Sequence, residues 1–179
     1  TKIGFANKES RGLAESRGGR RGPENVWGSA ATGCCLVVMS QFWIESYSLL
    51  MVGFAASFAA KLADTFGSEI GKRYGRKAFL ITTFRPANPG VDGAVSVEGT
   101  FASLFGSLLM TIIMTNLSLI AQGTISYIVF FSGFIATILE SYIGAFSQNR
   151  ISWLTNELVN FLQTTLAAII AICLASLLI

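Results

Sequence analysis

The chain of 179 residues contains no histidine. That excludes Ser-His-Asp and Cys-His nucleophilic chemistry and every metal site built on imidazole. There are 3 cysteines, Cys34, Cys35 and Cys173, an odd number in or near apolar stretches and without metal-ligand spacing. They read as small packing residues. Charge is also scarce: 13% of the residues are Asp, Glu, Lys or Arg, where a soluble domain carries about a quarter. The dinucleotide fingerprint G-x-G-x-x-G is missing. Gly67-Ser68-Glu69-Ile70-Gly71-Lys72-Arg73 is one residue short of a P-loop, carries Arg73 in place of Ser/Thr, and follows a helical pattern rather than a strand. Basic residues sit beside apolar segments without base-stacking aromatics, so nucleic acid is not an expected partner.

What the chain has in quantity is apolar residues, 52% of the total. They fall in five segments, which predicts an all-α polytopic membrane bundle with helices over residues 25–44, 47–68, 100–121, 124–147 and 156–179. Residues 1–24, rich in Gly, Arg and Glu, are expected to form a basic arm on the aqueous side, and residues 25–179 the transmembrane domain. The chain opens on Thr1 rather than Met, without a signal-peptide pattern, so a processed precursor or a partial chain is expected. Of the 13 Lys and Arg, all but Lys61 fall in the arm, after the second helix or after the fourth. With five spans these places share one side, which the positive-inside rule assigns to cytoplasm or stroma.

Residues 60–100 concentrate the polar groups. Lys61, Asp64 and Ser68 share one face of the second helix, and Glu69, Lys72, Arg73, Arg76 and Lys77 follow closely. A Lys61–Asp64 ion pair alone would explain the insertion of both, and snorkelling would explain the lysines and arginines. Neither explains the further carboxylates. A Gly/Pro loop then supplies Arg85, Gly90, Gly93, Ser96, Glu98 and Gly99, whose backbone N–H groups suit an anion nest. Gly67, Gly71 and Gly75 recur every fourth residue, a spacing that serves helix packing as well as any direct role. Later helices add Glu140, Glu157 and Asn160 near the same end. Charged groups at membrane depth are costly and mark function. Carboxylates among cations and flexible glycine backbone suit a phosphate with Mg2+, so the expectation is an intramembrane site for a phosphorylated ligand.

The runs Ala63-Asp64-Thr65-Phe66-Gly67-Ser68-Glu69-Ile70-Gly71 and Gly93-Ala94-Val95-Ser96…Glu98-Gly99-Thr100 resemble the phytyl-phosphate kinase family of plants and cyanobacteria. So do Gly19-Arg20-Arg21-Gly22-Pro23-Glu24-Asn25, Glu140-Ser141-Tyr142-Ile143-Gly144 and Asn156-Glu157-Leu158-Val159-Asn160. That family has Asp at the position of Glu140 and further apolar helices ahead of the arm. The Asp64…Lys72-Arg73…Glu98-Gly99 layout is also similar to CTP-dependent polyprenol kinases.

The resemblance implies a kinase of vitamin E and phylloquinone biosynthesis, in a chloroplast (thylakoid or envelope) or cyanobacterial membrane. It would move a phosphoryl group, with CTP as the donor, to an isoprenoid monophosphate. Asp64 and Glu69 would bind Mg2+, with Glu98 as a further ligand. Lys72, Arg73 and Lys77 would clamp phosphates, and Arg20, Arg21 and Arg85 would close the site. Lys61, Gly90, Gly93, Ser96, Gly99, Glu140, Glu157 and Asn160 would line it. Two other readings stay open: a kinase-like scaffold held as a non-catalytic subunit of a larger, photosynthetic membrane complex, and a transporter of an anionic metabolite through Lys61 and Asp64.

Overall fold

The computed structural model describes residues 22–91, 93–147 and 153–178, with residue 9 besides. The arm residues Arg20 and Arg21 lie outside the described residues. Among the described residues, five helices make the bundle: α1 (Pro23–Phe42), α2 (Tyr47–Tyr74), α3 (Val97–Asn116), α4 (Thr124–Ser147) and α5 (Asn156–Ala175). A short 3-10 turn, Ile44–Ser46, joins α1 to α2.

In lipid there is little hydrophobic drive between helices, so small residues that permit close van der Waals approach do the packing. α2 is the axis for this reason. Ala55, Ala56, Ala59 and Ala60 are wholly buried in one cluster with Ala136 of α4 and Ala167, Ala171 and Ala175 of α5, and Ala63 is wholly buried beside Gly106 of α3. Its later glycines meet α3: a Cβ on Gly67 would run into Ser103 Oγ, and one on Gly106 would lie 2.8 Å from the Leu62 carbonyl. The Gly67 stripe is thus a packing surface against α3. α1 lies along α5, from Gly28 at the Glu157 carbonyl to Leu36 beside Ala168.

Among the described residues, four helices, α2 (with the 3-10 turn before it) to α5, are long and apolar enough to cross a bilayer. α1 has the length, 20 residues, but Glu24, Asn25 and its Ser, Thr and Gln make it less apolar than the five-span expectation supposed. The starts of α1, α3 and α5 and the ends of α2 and α4 meet at one end of the bundle, together with Lys72, Arg73, Arg76, Lys77 and Arg85.

Four boundaries differ from expectation, one of them the end of α5, at Ala175 rather than residue 179. α2 continues to Tyr74 rather than ending near residue 68, because Gly67 and Gly71 are held by α3 and cost the helix less than exposed glycines would. α3 starts at Val97, where Ser96 accepts the Gly99 N–H at 3.1 Å and Glu98 sits in the positive first turn. It ends at Asn116, ahead of the expected residue 121. Ser118 takes φ 56, while Leu119 N–H returns to Met114 O at 3.0 Å and Ser118 N–H to Thr115 O at 2.9 Å, the Schellman pattern.

The stretch expected as a Gly/Pro loop holds a small antiparallel sheet in the order β2-β1-β3: β1 (Ala78–Leu80), β2 (Pro86–Ala87) and β3 (Ala94–Ser96). Ala78 pairs with both Ala87 and Ser96, and Leu80 with Ala94. Gly93, at φ 73, sits where a Cβ would strike Ala145 of α4, so the sheet is pressed against the end of that helix.

Candidate functional site

Lys61 and Asp64 are three residues apart, one turn along α2. Lys61 Nζ donates to Asp64 Oδ2 at 2.6 Å and, across to α5, to Asn160 Oδ1 at 2.6 Å. The two charged side chains are 13% and 20% exposed, so the pair is largely withdrawn into the bundle. Glu140 of α4 meets the Asp64 side chain and lies in the field of Lys61. One level of the bundle therefore gathers two carboxyl groups and one ammonium from α2 and α4, steadied by an amide of α5. The ion pair expected from the sequence exists, and one of its members also faces open space.

That space is a cavity of about 380 Å³, bounded by α2, β1, the segment 89–96, α3, α4 and the start of α5. Asp64, Ser68, Lys72, Glu140, Ser141, Gly90 and Gly93 make its polar end. Phe134 and Ile138 line it deeper along α4, while apolar Phe79, Ile81, Val91, Val95 and Val159 line it nearer the loop and the level of Asp64. At 1.5 Å per helical residue, the span from Phe134 to Gly144 gives a depth of about 15 Å. The starts of α3 and α5 adjoin it through Ser96, Gly99 and Asn156. Helix N-termini carry partial positive charge and favour anions.

Among the residues expected at the site, Asp64, Lys72, Gly90, Gly93, Ser96, Gly99 and Glu140 line this cavity. Lys61 and Asn160 stand directly behind Asp64. Ser96 hands its hydroxyl to the α3 cap. A Cβ on Gly99 would lie 3.0 Å from the Gly67 carbonyl, so its role is close approach to α2.

Others lie apart. Glu69 does not line the cavity: it is five residues beyond Asp64, which at 100° per residue turns it about 140° away. Glu98 does not line it either, and it accepts the Arg76 N–H at 3.4 Å. Asp64, Glu69 and Glu98 are thus not gathered into one cage, and among the described residues no three acidic or thiol groups are placed to hold a metal together. Arg73 is exposed, with its guanidinium 5.0 Å from the Tyr74 ring centre. Lys77 and Arg85 are exposed at the same surface, and the Glu157 carbonyl packs against Gly28 of α1.

A polar network one turn deeper escaped the sequence reading. Buried Gln163 of α5 donates through Nε2 to Ala60 O at 3.1 Å and to Thr137 Oγ1 at 3.0 Å, tying α5, α2 and α4 together. The signal for it is an amide, Gln163, with Thr164 and Thr165 beside it, in an otherwise apolar helix.

A family described as integral membrane protein DUF92 matches residues 1–168. A membrane protein of Synechocystis is 49% identical over 173 residues, covering 96% of this chain and 67% of that protein. Protein VTE6, chloroplastic, of Arabidopsis thaliana is 40% identical over 177 residues, covering 96% of this chain and 53% of the plant protein. A membrane protein of Methanocaldococcus jannaschii is 27% identical, with 96% and 68% covered. The chain thus spans about half the length of the plant relative and two thirds of the other two. No solved structure matches. The plant and cyanobacterial resemblance read from residues 63–71 and 93–100 is borne out, and the chain belongs to the DUF92 family of integral membrane proteins.

Proposed function

We propose that this membrane protein phosphorylates an isoprenoid monophosphate, phytyl phosphate foremost, to the diphosphate, with CTP as the donor. The observation that carries the reading is the mixed lining of the cavity: Asp64, Glu140 and Lys72 towards the basic surface, with Phe134 and Ile138 deeper along α4. An amphiphile with an anionic head and a hydrocarbon tail matches that lining. Its volume, about 380 Å³, is at the small end of ligand pockets, about 300–1,000 Å³. It suits a phosphate head and the first part of a chain, with the nucleotide reaching in from the aqueous side.

In the reaction, an oxygen of the acceptor phosphate forms a bond to the γ-phosphorus of CTP. The bond from that phosphorus to the β–γ bridging oxygen breaks, and CDP leaves with the electron pair. The acceptor oxygen is already ionised near neutral pH, its second pKa being about 6, so no histidine or other strong base is required. Catalysis is then positioning and charge neutralisation. Lys72 neutralises phosphate at the mouth, and the turns at Gly90 and Gly93 offer backbone N–H groups. Lys61, held by Asn160, fixes Asp64. Arg73, Arg76, Lys77 and Arg85 draw the triphosphate to the surface.

The residues present fit Mg2+: it commonly takes one or two carboxylates and completes its shell with phosphate oxygens and water, and Asp64 and Glu140 meet at one level. When bound, the ion would neutralise phosphate charge there. This set replaces Glu69 and Glu98 of the sequence expectation with Glu140. The chloroplast label on the plant relative and the cyanobacterial relative support a chloroplast or cyanobacterial membrane, with the basic end towards stroma or cytoplasm.

The test is incubation of the purified chain in lipid nanodiscs with phytyl phosphate, Mg2+ and each nucleoside triphosphate, followed by mass spectrometry for a lipid diphosphate. Formation with CTP supports the assignment. A chain that yields no diphosphate with any donor would favour the non-catalytic subunit instead.

A further inference from the structure

We propose that the tip of the β1–β2 hairpin, with Phe84 and Arg85, is an anchor in the headgroup layer of the bilayer, and that its partner there is anionic lipid. The proposal needs no step of the phosphoryl transfer above. It assigns a role to an aromatic side chain that the fold holds in a conformation glycine would prefer.

The placement follows from lengths. The 20 residues of α3 rise about 30 Å at 1.5 Å per residue, the thickness of the hydrocarbon core. β3 runs directly into the start of α3, and a Cβ on Gly75, just past α2, would lie 2.8 Å from Ser96 Oγ. The end of α2, the start of α3 and the sheet between them therefore share the level of the headgroups. From there the sheet crosses to α4. Ala78 pairs with Ser96, Ile81 N–H donates to Gly93 O at 3.0 Å, and Gly93 lies against Ala145. The turn that follows Ile81 thus stands by the last turn of α4, and its Thr83, Phe84 and Arg85 are all exposed.

That turn is built around a residue that suits it badly. Leu80 O accepts the N–H of Thr83 at 3.3 Å and of Phe84 at 2.8 Å, and Leu80 N–H donates to Arg85 O at 2.9 Å. This closure puts Phe84 at φ 54, in the left-handed region, where a Cβ is crowded and glycine is at ease. Its ring stacks on Phe79 at 5.7 Å yet stays 72% exposed, so covering Phe79 accounts for little of it. An exposed ring beside a guanidinium fits the headgroup layer: the ring reaches the acyl boundary and the cation meets lipid phosphate. Arg76 and Lys77, exposed just ahead of β1, add charge of the same sign. Trp27, Tyr74 and Trp153 are further exposed aromatics at this end of the bundle, as in an interfacial belt. Because Phe79 also lines the cavity, the anchor ties that wall to the membrane surface.

The experiment uses the full chain in nanodiscs of phosphatidylcholine, with or without phosphatidylglycerol, and needs no turnover. The added emission of Phe84→Trp, over the 3 Trp of the wild type, is expected to be blue-shifted and quenched by lipids brominated near the carbonyl end of the acyl chain. Quenching by aqueous iodide instead overturns the anchor. So does quenching that appears only when CTP is added, which would make the ring a base-stacking site. In hydrogen exchange, the Leu80 and Phe84 amides should open more slowly when phosphatidylglycerol is present, by about fivefold for each basic residue engaged. Arg85→Gln should lose about fivefold of that slowing. Equal exchange in the two lipids contradicts the proposal, as does slowing that inorganic phosphate reproduces in phosphatidylcholine alone. Phe84→Asn keeps the turn, because Asn tolerates the left-handed conformation. It is expected to exchange like the wild type in detergent and faster than it in nanodiscs. Exchange equal to the wild type in nanodiscs would reject the ring as an anchor.

Discussion

Lys61 of α2 reaches Asn160 of α5 across 2.6 Å, while its ammonium holds Asp64 Oδ2 at the same distance. A cation in the apolar layer is thus anchored to both the carboxylate it neutralises and the neighbouring helix. Removing one member of such a pair leaves an uncompensated charge, which costs about 3–5 kcal/mol when buried. Lys61→Met is predicted to destabilise towards that range, discounted for the 13% and 20% residual exposure of the pair. The double variant Lys61→Met with Asp64→Leu should recover much of the loss and still lack activity. Thermal unfolding of the single and double variants in detergent measures the coupling. Strictly additive losses would mean the two charges do not act on each other.

Gly93 joins conformation to contact. Its φ of 73 is one that side chains disfavour, and a Cβ would strike Ala145 of α4. Gly93→Ala should lift the sheet from the end of α4 and open the cavity mouth, with the helices left in place. The expected result is a kcat/KM lowered at least about tenfold, or about 1.4 kcal/mol, with little change in melting temperature. A large fall in stability would show instead that the sheet holds the bundle together.

Gln163 gives a test in the opposite direction. Among the described residues its Oε1 has no partner, although Nε2 has two. An unsatisfied buried acceptor costs about 1–3 kcal/mol, whereas an interhelical hydrogen bond in a membrane contributes about 0.6 kcal/mol on average. The two effects nearly cancel, so Gln163→Met is predicted to be neutral or slightly stabilising. A loss above about 2 kcal/mol would mean that the oxygen is bound after all, by water or an ion.

Lys72 and Arg73 are adjacent in sequence and differ in placement. Lys72 lines the cavity, while Arg73 is exposed over the Tyr74 ring. Lys72→Ala should reduce phosphoryl transfer by about a hundredfold, as loss of one preorganised charge contact does. Arg73→Ala should cost less than tenfold. The comparison is of kcat/KM for CTP, and equal losses would place the phosphate outside the cavity.

The sequence made parts of this site legible because charge in an apolar run is rare. Lys61, Asp64 and Glu140 stand out for that reason, and they converge. Glu69 and Glu98 enter the expectation through their place at the basic end and the family resemblance, but the turn of the helix and the Arg76 N–H take them elsewhere. The sheet was hidden because strands of two or three residues among Gly and Pro carry no period. The early end of α3 was hidden because a helix closure at Ser118 interrupts an apolar run that composition alone would continue. α2 as the axis follows from its run of alanines, whose meaning appears only once the partner helices bring theirs.

The most direct measurement is transfer of radiolabelled γ-phosphate from CTP to phytyl phosphate by the wild-type chain and by Asp64→Asn, each verified as folded. The account predicts a labelled lipid diphosphate from the wild type and a rate lowered about a hundredfold or more in the variant. An Asp64→Asn protein that transfers phosphate at the wild-type rate would contradict it.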